Sequence, residues 1–204
     1  MTKAIQSTSA PSTRERIVAA AARLFAEFGF ASSSMPAIAE QSGITAGAIY
    51  RHFESKAELL LEVVRQALRS APVSARAREH GKIDVTALPE AAASYVAKDL
   101  KMMRQLSLEV HAAASRDSGV ALLLSEYTVD LRRRISEAIA SAQRDGLADS
   151  QIDPDLSAQL YATMIMGLNH LDTVNPSLVG NPVWRAFVAE RVSVMLGLSS
   201  SRVP

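Results

Sequence analysis

Residues 34–56 read SMPAIAEQSGITAGAIYRHFESK and decide the fold of the first part of the chain. Ser34 can cap a short helix, because its hydroxyl can accept a hydrogen bond from a free backbone N–H of the first turn. Gly43 follows in a three-residue turn and allows the positive φ that such a turn requires. Thr45 can then cap a second short helix over residues 46–52. Two short helices joined by a glycine-containing turn predict a helix-turn-helix, whose second helix can enter the major groove of DNA.

Helix signals flank this unit on both sides. Ser12 and Glu15 have the spacing of a capping box, in which each side chain accepts from the other residue's backbone N–H, and the apolar stripe that follows ends at Gly29. Ser55 and Glu58 repeat the capping-box spacing and open a long helix that runs to about residue 68. The large apolar residues predicted to form the core of this unit are Phe25, Phe28, Ile38, Ile49 and Phe53.

The rest of the chain is predicted to be helical as well, because apolar residues recur at spacings of three and four and alternating β-branched runs are lacking. Asp153-Pro154 and Asn181-Pro182 are strong start signals, since each places a capping side chain before a proline at the first helical position. The longer helices are predicted over about 86–98, 99–114, 119–146, 154–171 and 182–196. The fold class is therefore all-α, with a flexible arm over 1–11, a helix-turn-helix domain over 12–56, a C-terminal domain over 57–198 entered by the helix from residue 56, and a tail over 199–204.

The composition excludes several classes of protein. The 204 residues are 48% apolar, include no cysteine and carry a formal net charge of +1, so disulfide scaffolds, thiol catalysis and iron–sulfur sites are excluded. We expect no enzyme and no metal site, because no nucleophile is paired with a base and the four histidines lie in no cluster with metal-ligand spacing. No segment approaches the ~20 apolar residues that span a bilayer. These features predict a cytoplasmic protein that has neither a cofactor nor a membrane partner.

The second short helix carries small residues on its predicted outer side. Ala46, Gly47 and Ala48 let the backbone approach DNA closely, and an alanine methyl can meet a thymine methyl. Arg51 can donate to guanine or to phosphate, and capped helix starts present free N–H groups to anions. The predicted DNA-binding residues are Ser34, Thr45, Ala46, Gly47, Ala48, Tyr50, Arg51, His52 and Lys56. Capping alone is the other interpretation of the serine and the threonine, and packing against the core is the other interpretation of the tyrosine.

Six short runs agree, at fixed spacings, with one known family. They are RIVAAA over 16–21, LFAEFGF over 24–30, IAE over 38–40, SGI over 42–44, IYRHF over 49–53 and SKAELL over 55–60. Over about residues 12–64 the chain resembles the tetracycline-repressor (TetR) family of bacterial transcriptional regulators. The resemblance implies a C-terminal regulatory domain that binds a small ligand and pairs two subunits through its last two helices. Ala46 and the Pro36-Ala37 pair depart from the charged residues usual in the family, so two possible contacts with bases or phosphates are missing.

The C-terminal domain contains adaptable apolar side chains together with a few polar groups, a composition that is typical of a small-molecule pocket and also of a helical core. A pocket is expected among the four helices predicted between residues 86 and 171. The predicted ligand-binding residues are Met103, Leu106, His111, Tyr127, Tyr161, Met164 and Asn169. The helices that begin at 154 and 182 carry apolar residues on more than one face, which predicts that a second copy of the chain covers them.

Together these features predict a homodimer that binds a palindromic operator. By its resemblance the protein is expected to repress transcription until a small-molecule effector enters the C-terminal domain. The alternative is a helical interaction module that does not bind DNA, since a nearly neutral chain has little non-specific affinity for it. Against this alternative, the helix over 46–52 lacks the exposed Leu or Met anchors that a helix-in-groove partner would need.

Overall fold

A computed structural model describes residues 10–70 and 82–198 of the protein, and the regular secondary structure of these residues is helical. The predicted arm and tail fall outside the described residues except for residues 10 and 11. The α-helices are α1 (Thr13–Ser32), α2 (Met35–Gln41), α3 (Ala46–Ile49), α4 (Lys56–Ser70), α5 (Leu88–Ser94), α6 (Lys101–Ala114), α7 (Ser118–Arg144), α8 (Pro154–Asn169), α9 (Leu171–Val174) and α10 (Pro182–Met195). The all-α prediction is confirmed.

The chain divides into two compact units, Met1–Val63 and Val64–Pro204. The division lies within α4, whereas the sequence analysis placed the domain boundary at the start of that helix, between residues 56 and 57. A helix that begins in one unit and ends in the other has no turn signal at the division, so the sequence cannot mark it.

The core of the N-terminal unit is formed by one face of α1 and by the inner sides of α2 and α3. Phe25, Ile38, Ile49 and Phe53 are buried there as predicted. The prediction for Phe28 is wrong, since this side chain is 55% exposed. The helix breaks one residue later at Gly29, whose φ is 82°, and the changed chain direction brings Phe30 instead into edge-on contact with Phe25, with ring centroids 5.3 Å apart.

The C-terminal unit is arranged around α7, which packs against α6 and α8, while α10 packs against α5. The predicted helix over 86–98 is shorter in the structure, because α5 ends at Ser94 and a 3₁₀ turn over Lys98–Leu100 leads into α6. The predicted helix over 154–171 is interrupted at His170, between α8 and α9. The central core residues include Tyr95, Ile135, Ile139, Tyr161, Val192 and Leu196.

A buried arginine joins three segments of this unit. Arg104 on α6 is fully buried and donates from Nε to Asp172 on α9 over 2.5 Å. Its Nη1 donates to the carbonyl oxygens of Tyr95 and Ala97, each over 2.7 Å. Because a buried cation is costly unless it is paired and hydrogen-bonded, these bonds fix the chain after α5 and the segment after α8 on α6.

Candidate nucleic-acid interface and ligand cavity

The two short helices of the N-terminal unit begin at the predicted caps. Ser34 Oγ accepts from the backbone N–H of Ala37 over 3.3 Å, and Thr45 Oγ1 accepts from that of Ala48 over 3.2 Å. Between the helices Gly43 has a φ of 71°, a conformation that L-residues with a Cβ rarely adopt. The helix-turn-helix geometry therefore comes from local hydrogen bonds and one glycine.

The second helix of this motif is shorter than predicted. The α-helix α3 ends at Ile49, and the chain continues to Phe53 in turns whose N–H groups bond three residues back, His52 to Ile49 over 3.0 Å and Arg51 to Ala48 over 3.2 Å. Such tighter turns are common at helix ends because they satisfy carbonyl groups that have no helical partner. With these turns in place of a longer helix, Ile49 and Phe53 are still buried in the core of the N-terminal unit.

The outer side of α3 is open. Ala46, Gly47 and Arg51 are exposed, and Tyr50 is 52% exposed, which disfavours the interpretation that it seals the helix against the core. A Cβ added at Gly47 would meet no atom within 4 Å. Another molecule can therefore approach the backbone closely at this point. Ala48 and His52 are half-buried at the edges of this face, and Ser34 and Thr45 are exposed at the helix starts.

Lys56 has contacts that the sequence analysis did not foresee. Its ammonium group donates to the carbonyl oxygens of Phe30 and Ser33, each over 2.8 Å, and more weakly to that of Ala31 over 3.4 Å. It also lies 4.4 Å from the centroid of the Phe30 ring. These carbonyls follow the break in α1, so the cation stabilises the end of that helix. Contact of Lys56 with phosphate stays a prediction.

Two capping boxes were predicted, and only the first forms completely. Ser12 N–H donates to Glu15 over 2.7 Å, and Glu15 N–H donates to Ser12 Oγ over 3.2 Å. At the start of α4, Ser55 Oγ accepts from the N–H of Glu58, but the Glu58 carboxylate accepts from the N–H of Glu54 instead of that of Ser55. The second box is therefore only half formed, because the glutamate reaches one residue further back.

The C-terminal unit contains a cavity of about 110 Å³. Five of the seven predicted ligand-binding residues line it, namely Met103, His111, Tyr127, Tyr161 and Asn169. The lining residues that the sequence analysis missed are Ala67, Leu68, Tyr95, Ser107, Val110, Leu124, Thr128, Leu131, Ala162, Ile165 and Met166. On α6 and α8, helical periodicity could have identified further lining residues on the same face as the predicted ones. No local pattern shows that the end of α4 contributes to this cavity.

Leu106 and Met164 do not line the cavity, and contact of these two residues with a ligand stays a prediction. Tyr161, Ile165 and Asn169 face the cavity at successive turns of α8, and the helical rotation turns Met164 towards the hydrophobic core. Leu106 is buried on α6 but lies outside the cavity-facing positions of that helix.

The cavity wall is uncharged. None of the described residues that line it is an Asp, Glu, Lys or Arg. Burial raises the pKa of Tyr95 well above its usual range, and the nearby Tyr127 and Tyr161 raise it further, so Tyr95 stays a neutral phenol. Tyr161 donates its hydroxyl to the carbonyl of Leu88 over 3.1 Å.

The polar side chains that line the cavity include His111 and Asn169. His111 Nδ1 lies 2.7 Å from the carbonyl oxygen of Ser107; because a carbonyl only accepts, Nδ1 carries a proton and Nε2 of the neutral ring is an acceptor. The ring of His170, which follows Asn169, lies 6.3 Å from that of His111. Asn169 is only 9% exposed, and its Oδ1 has no hydrogen-bond partner.

The described residues offer no site for a metal ion, since no three His, Asp or Glu side chains come together there. No helix within residues 10–70 and 82–198 has the length and apolar character needed to cross a bilayer.

Comparisons with known proteins agree with this architecture. The family model for "Bacterial regulatory proteins, tetR family" matches residues 17–63. The HTH-type transcriptional regulator UidR of Escherichia coli K12 is 30% identical over 163 residues, which are 80% of this chain and 81% of UidR.

Two solved structures have the same fold. Salmonella enterica GusR has a TM-score of 0.73 and 24% identity, with 90% of this chain and 95% of GusR covered. A regulator from Saccharomonospora viridis, solved in complex with choline, has a TM-score of 0.73 and 23% identity over 88% of this chain and 95% of that protein. The chain belongs to the tetR family of bacterial regulatory proteins and is a DNA-binding transcriptional regulator with a helix-turn-helix.

Proposed function

We propose that this regulator is a repressor that binds a palindromic operator as a homodimer and leaves it when a small molecule occupies the C-terminal cavity. The observation that carries the proposal is the presence of an open, small-residue face on α3 in one unit and an uncharged cavity in the other. Family membership argues against the alternative of an interaction module that does not bind DNA.

The proposed DNA contacts follow from exposure. Gly47 and Ala46 allow the start of α3 to enter the major groove, where Arg51 donates to a guanine or to a phosphate. Tyr50 donates its hydroxyl to a DNA phosphate. The backbone N–H groups at the helix starts capped by Ser34 and Thr45 donate to phosphates of the same DNA backbone.

The proposed dimer interface is an apolar surface on α8 and α10. Leu156 and Leu160 are 70% and 55% exposed on successive turns of α8, and Val183, Phe187 and Val194 on α10 are 76%, 47% and 63% exposed. Large apolar side chains at helical spacing on a surface favour burial against a partner. A second copy presenting the same surface gives a two-fold interface, which matches a palindromic operator.

The proposed route from cavity to DNA is α4. This helix begins at Lys56, beside the helix-turn-helix in sequence, and its later residues Ala67 and Leu68 line the cavity. An effector can shift the equilibrium only if it binds one position of this helix more tightly than another.

Binding to DNA tests the first part of the proposal. An operator is selected from a random duplex library with the wild-type protein, and affinity is then measured by fluorescence anisotropy. We expect Gly47→Glu to weaken binding at least about tenfold, because each subunit then places a carboxylate against DNA phosphates. The control is Ala19→Glu, which adds the same charge at an exposed position of α1. Equal affinity of both variants would contradict the assignment of α3.

Sedimentation tests the interface. Leu160→Glu and Phe187→Glu should convert the dimer to a monomer at micromolar concentration, because each buries two carboxylates in an apolar contact. Leu122→Glu is the matched control, since Leu122 is 59% exposed on α7. A wild-type protein that sediments as a 21.9 kDa monomer would contradict the dimer.

A further inference from the structure

We infer that the effector is a neutral molecule about the size of one aromatic ring, and that it carries a hydroxyl or N–H group which hydrogen-bonds at the His111 and Asn169 end of the cavity. The inference rests on the proposed function, since it names the chemical class of the molecule that this cavity takes.

The size of the effector follows from the cavity. Its volume is about 110 Å³, and an apolar protein cavity of about 150 Å³ is sufficient to hold a benzene molecule. The wall is mostly aliphatic and aromatic, with Leu68, Val110, Leu124 and Ile165 among the lining residues. A single ring or an equally compact apolar body fills this space, whereas a larger molecule requires the helices to separate.

The neutrality of the effector follows from the absence of charge among the described lining residues. An ion that enters a buried, apolar site loses its hydration, and without a paired opposite charge that loss is not compensated. The tyrosines offer phenol groups, and burial keeps Tyr95 in its neutral form. The cavity therefore disfavours carboxylates, phosphates and ammonium groups.

The polar group of the effector follows from His111 and Asn169. With Nδ1 of His111 bonded to the carbonyl of Ser107, Nε2 is left to accept from a donor. Asn169 is buried and lines the cavity, and its unpaired Oδ1 is a second acceptor. Unpaired buried polar atoms are uncommon in folded proteins and need an explanation. A ligand hydroxyl or N–H at this end supplies the missing partner.

The test uses four compounds of nearly one size. Phenol is a neutral donor, toluene has no donor, benzoate is an anion, and benzylamine is a cation at pH 7. Their binding to the full-length wild-type protein is measured by ligand-observed NMR titration. We expect phenol to bind about fivefold more tightly than toluene, because one net hydrogen bond separates them, and we expect benzoate and benzylamine to bind more weakly than either.

Two variants locate the polar contact. Asn169→Leu and His111→Phe keep the approximate volume of the side chain but remove its hydrogen-bonding atoms. Each should reduce the preference for phenol over toluene, and the double variant should reduce it to about onefold. His170→Phe is the matched control: His170 is also bonded to a carbonyl four residues back, over 2.7 Å, but it does not line the cavity. It should retain the wild-type preference. The ratio of the two affinities is insensitive to a general loosening of the cavity.

The outcomes separate this inference from the proposed function. Equal binding of phenol and toluene, tighter binding of either ion, or no binding of any probe would overturn the ligand class. Release of the selected operator is measured in parallel. If phenol binds with the expected preference and the operator affinity is unchanged, the ligand class stands and the proposed effector-driven release fails.

Discussion

The two units of this regulator differ in how their buried polar groups are satisfied. Among the described residues, four buried side-chain atoms have no hydrogen-bond partner, namely Arg104 Nη2, Arg132 Nε, Asn169 Oδ1 and Trp184 Nε1, and all four belong to the C-terminal unit. In the N-terminal unit the buried Ser33 and Ser42 both donate to backbone carbonyls. Each unpaired buried polar atom costs about 1–3 kcal/mol. Of these four atoms only Asn169 Oδ1 belongs to a residue that lines the cavity, where a ligand can pair with it.

This difference corresponds to two kinds of recognition. Among its described residues the N-terminal unit has no buried side-chain atom that lacks a hydrogen-bond partner, so the hydrogen bonding of its interior needs no ligand. The C-terminal unit keeps a cavity and an unpaired amide inside it, so another molecule can stabilise it. A ligand can shift a conformational equilibrium only through contacts that one state lacks.

The largest effect is expected at Arg104, which holds the C-terminal unit together despite its one unpaired nitrogen. Arg104→Met should destabilise this unit by about 3 kcal/mol, because it leaves Asp172 and two carbonyl oxygens without their donor. Urea denaturation followed by circular dichroism measures the loss.

The control for Arg104 is Arg133→Met. Arg133 pairs with Asp130 and Glu137 on the exposed side of α7, where ion pairs contribute little, and its removal should leave the denaturation midpoint unchanged. Equal effects of the two substitutions would mean that the buried network does not stabilise the unit.

The second prediction compares the effects of removing two cationic side chains of the N-terminal unit, Lys56 and Arg51. Lys56→Met should destabilise this unit by about 1.5 kcal/mol, because the carbonyls at the end of α1 lose a charged donor. Arg51→Met should leave stability unchanged, since Arg51 is exposed, and should reduce the salt dependence of operator binding by about one unit of slope. We expect the smaller change in slope from Lys56→Met. The reverse pattern would place Lys56 at a phosphate and make its carbonyl contacts secondary.

The two units also differ in how much of their structure could be predicted from the sequence, because contacts between neighbouring residues leave a pattern and contacts between distant residues do not. The caps at Ser12, Ser34 and Thr45 and the positive φ of Gly43 involve residues within a few positions of each other, so the pattern alone predicts them. The missed contacts join distant residues: Lys56 reaches carbonyls 23–26 positions earlier.

In the C-terminal unit the contacts that shape the fold join residues even further apart in the sequence. Arg104 pairs with a carboxylate 68 positions later, and the cavity draws residues from α4, α6, α7 and α8. Periodicity predicts that Tyr161 and Asn169 lie on an inward face, but it does not tell whether that face meets a core or a cavity. For this reason the pattern does not separate Met164 and Leu106, which lie outside the cavity, from the residues that line it.

The third prediction concerns Asn169. In the effector-free protein Asn169→Leu should stabilise the C-terminal unit by about 1 kcal/mol, because an apolar side chain of similar volume replaces a buried amide that has an unpaired oxygen. Thermal unfolding measures the gain, and Asn175→Leu, at an exposed position, is the control. A loss of stability in Asn169→Leu would show that the amide has a structural partner, and the contrast between the two units would then be weaker.

The smallest effect is expected at the complete capping box of the N-terminal unit. The bonds from the N–H and hydroxyl groups of Ser12 lower the pKa of Glu15, so the native state favours the ionised carboxylate. A lowered native pKa contributes stability that is present above the ordinary value of 4.5 and is lost as the pH falls through the lower native value.

Glu15→Gln tests this linkage because glutamine keeps an acceptor for Ser12 N–H but has no charge to interact with the positive end of α1. The variant should unfold at a slightly lower temperature than the wild type at pH 7. The difference should shrink as the pH falls below 4.5 through the lowered pKa of Glu15, because a protonated glutamate resembles glutamine. Differential scanning calorimetry at pH 7 and pH 3 measures the two differences. Glu27→Gln removes the same charge from the same helix far from its start, so it should produce a smaller change at pH 7. A difference for Glu15→Gln that persists unchanged at pH 3 would assign the effect to hydrogen-bond geometry instead of charge.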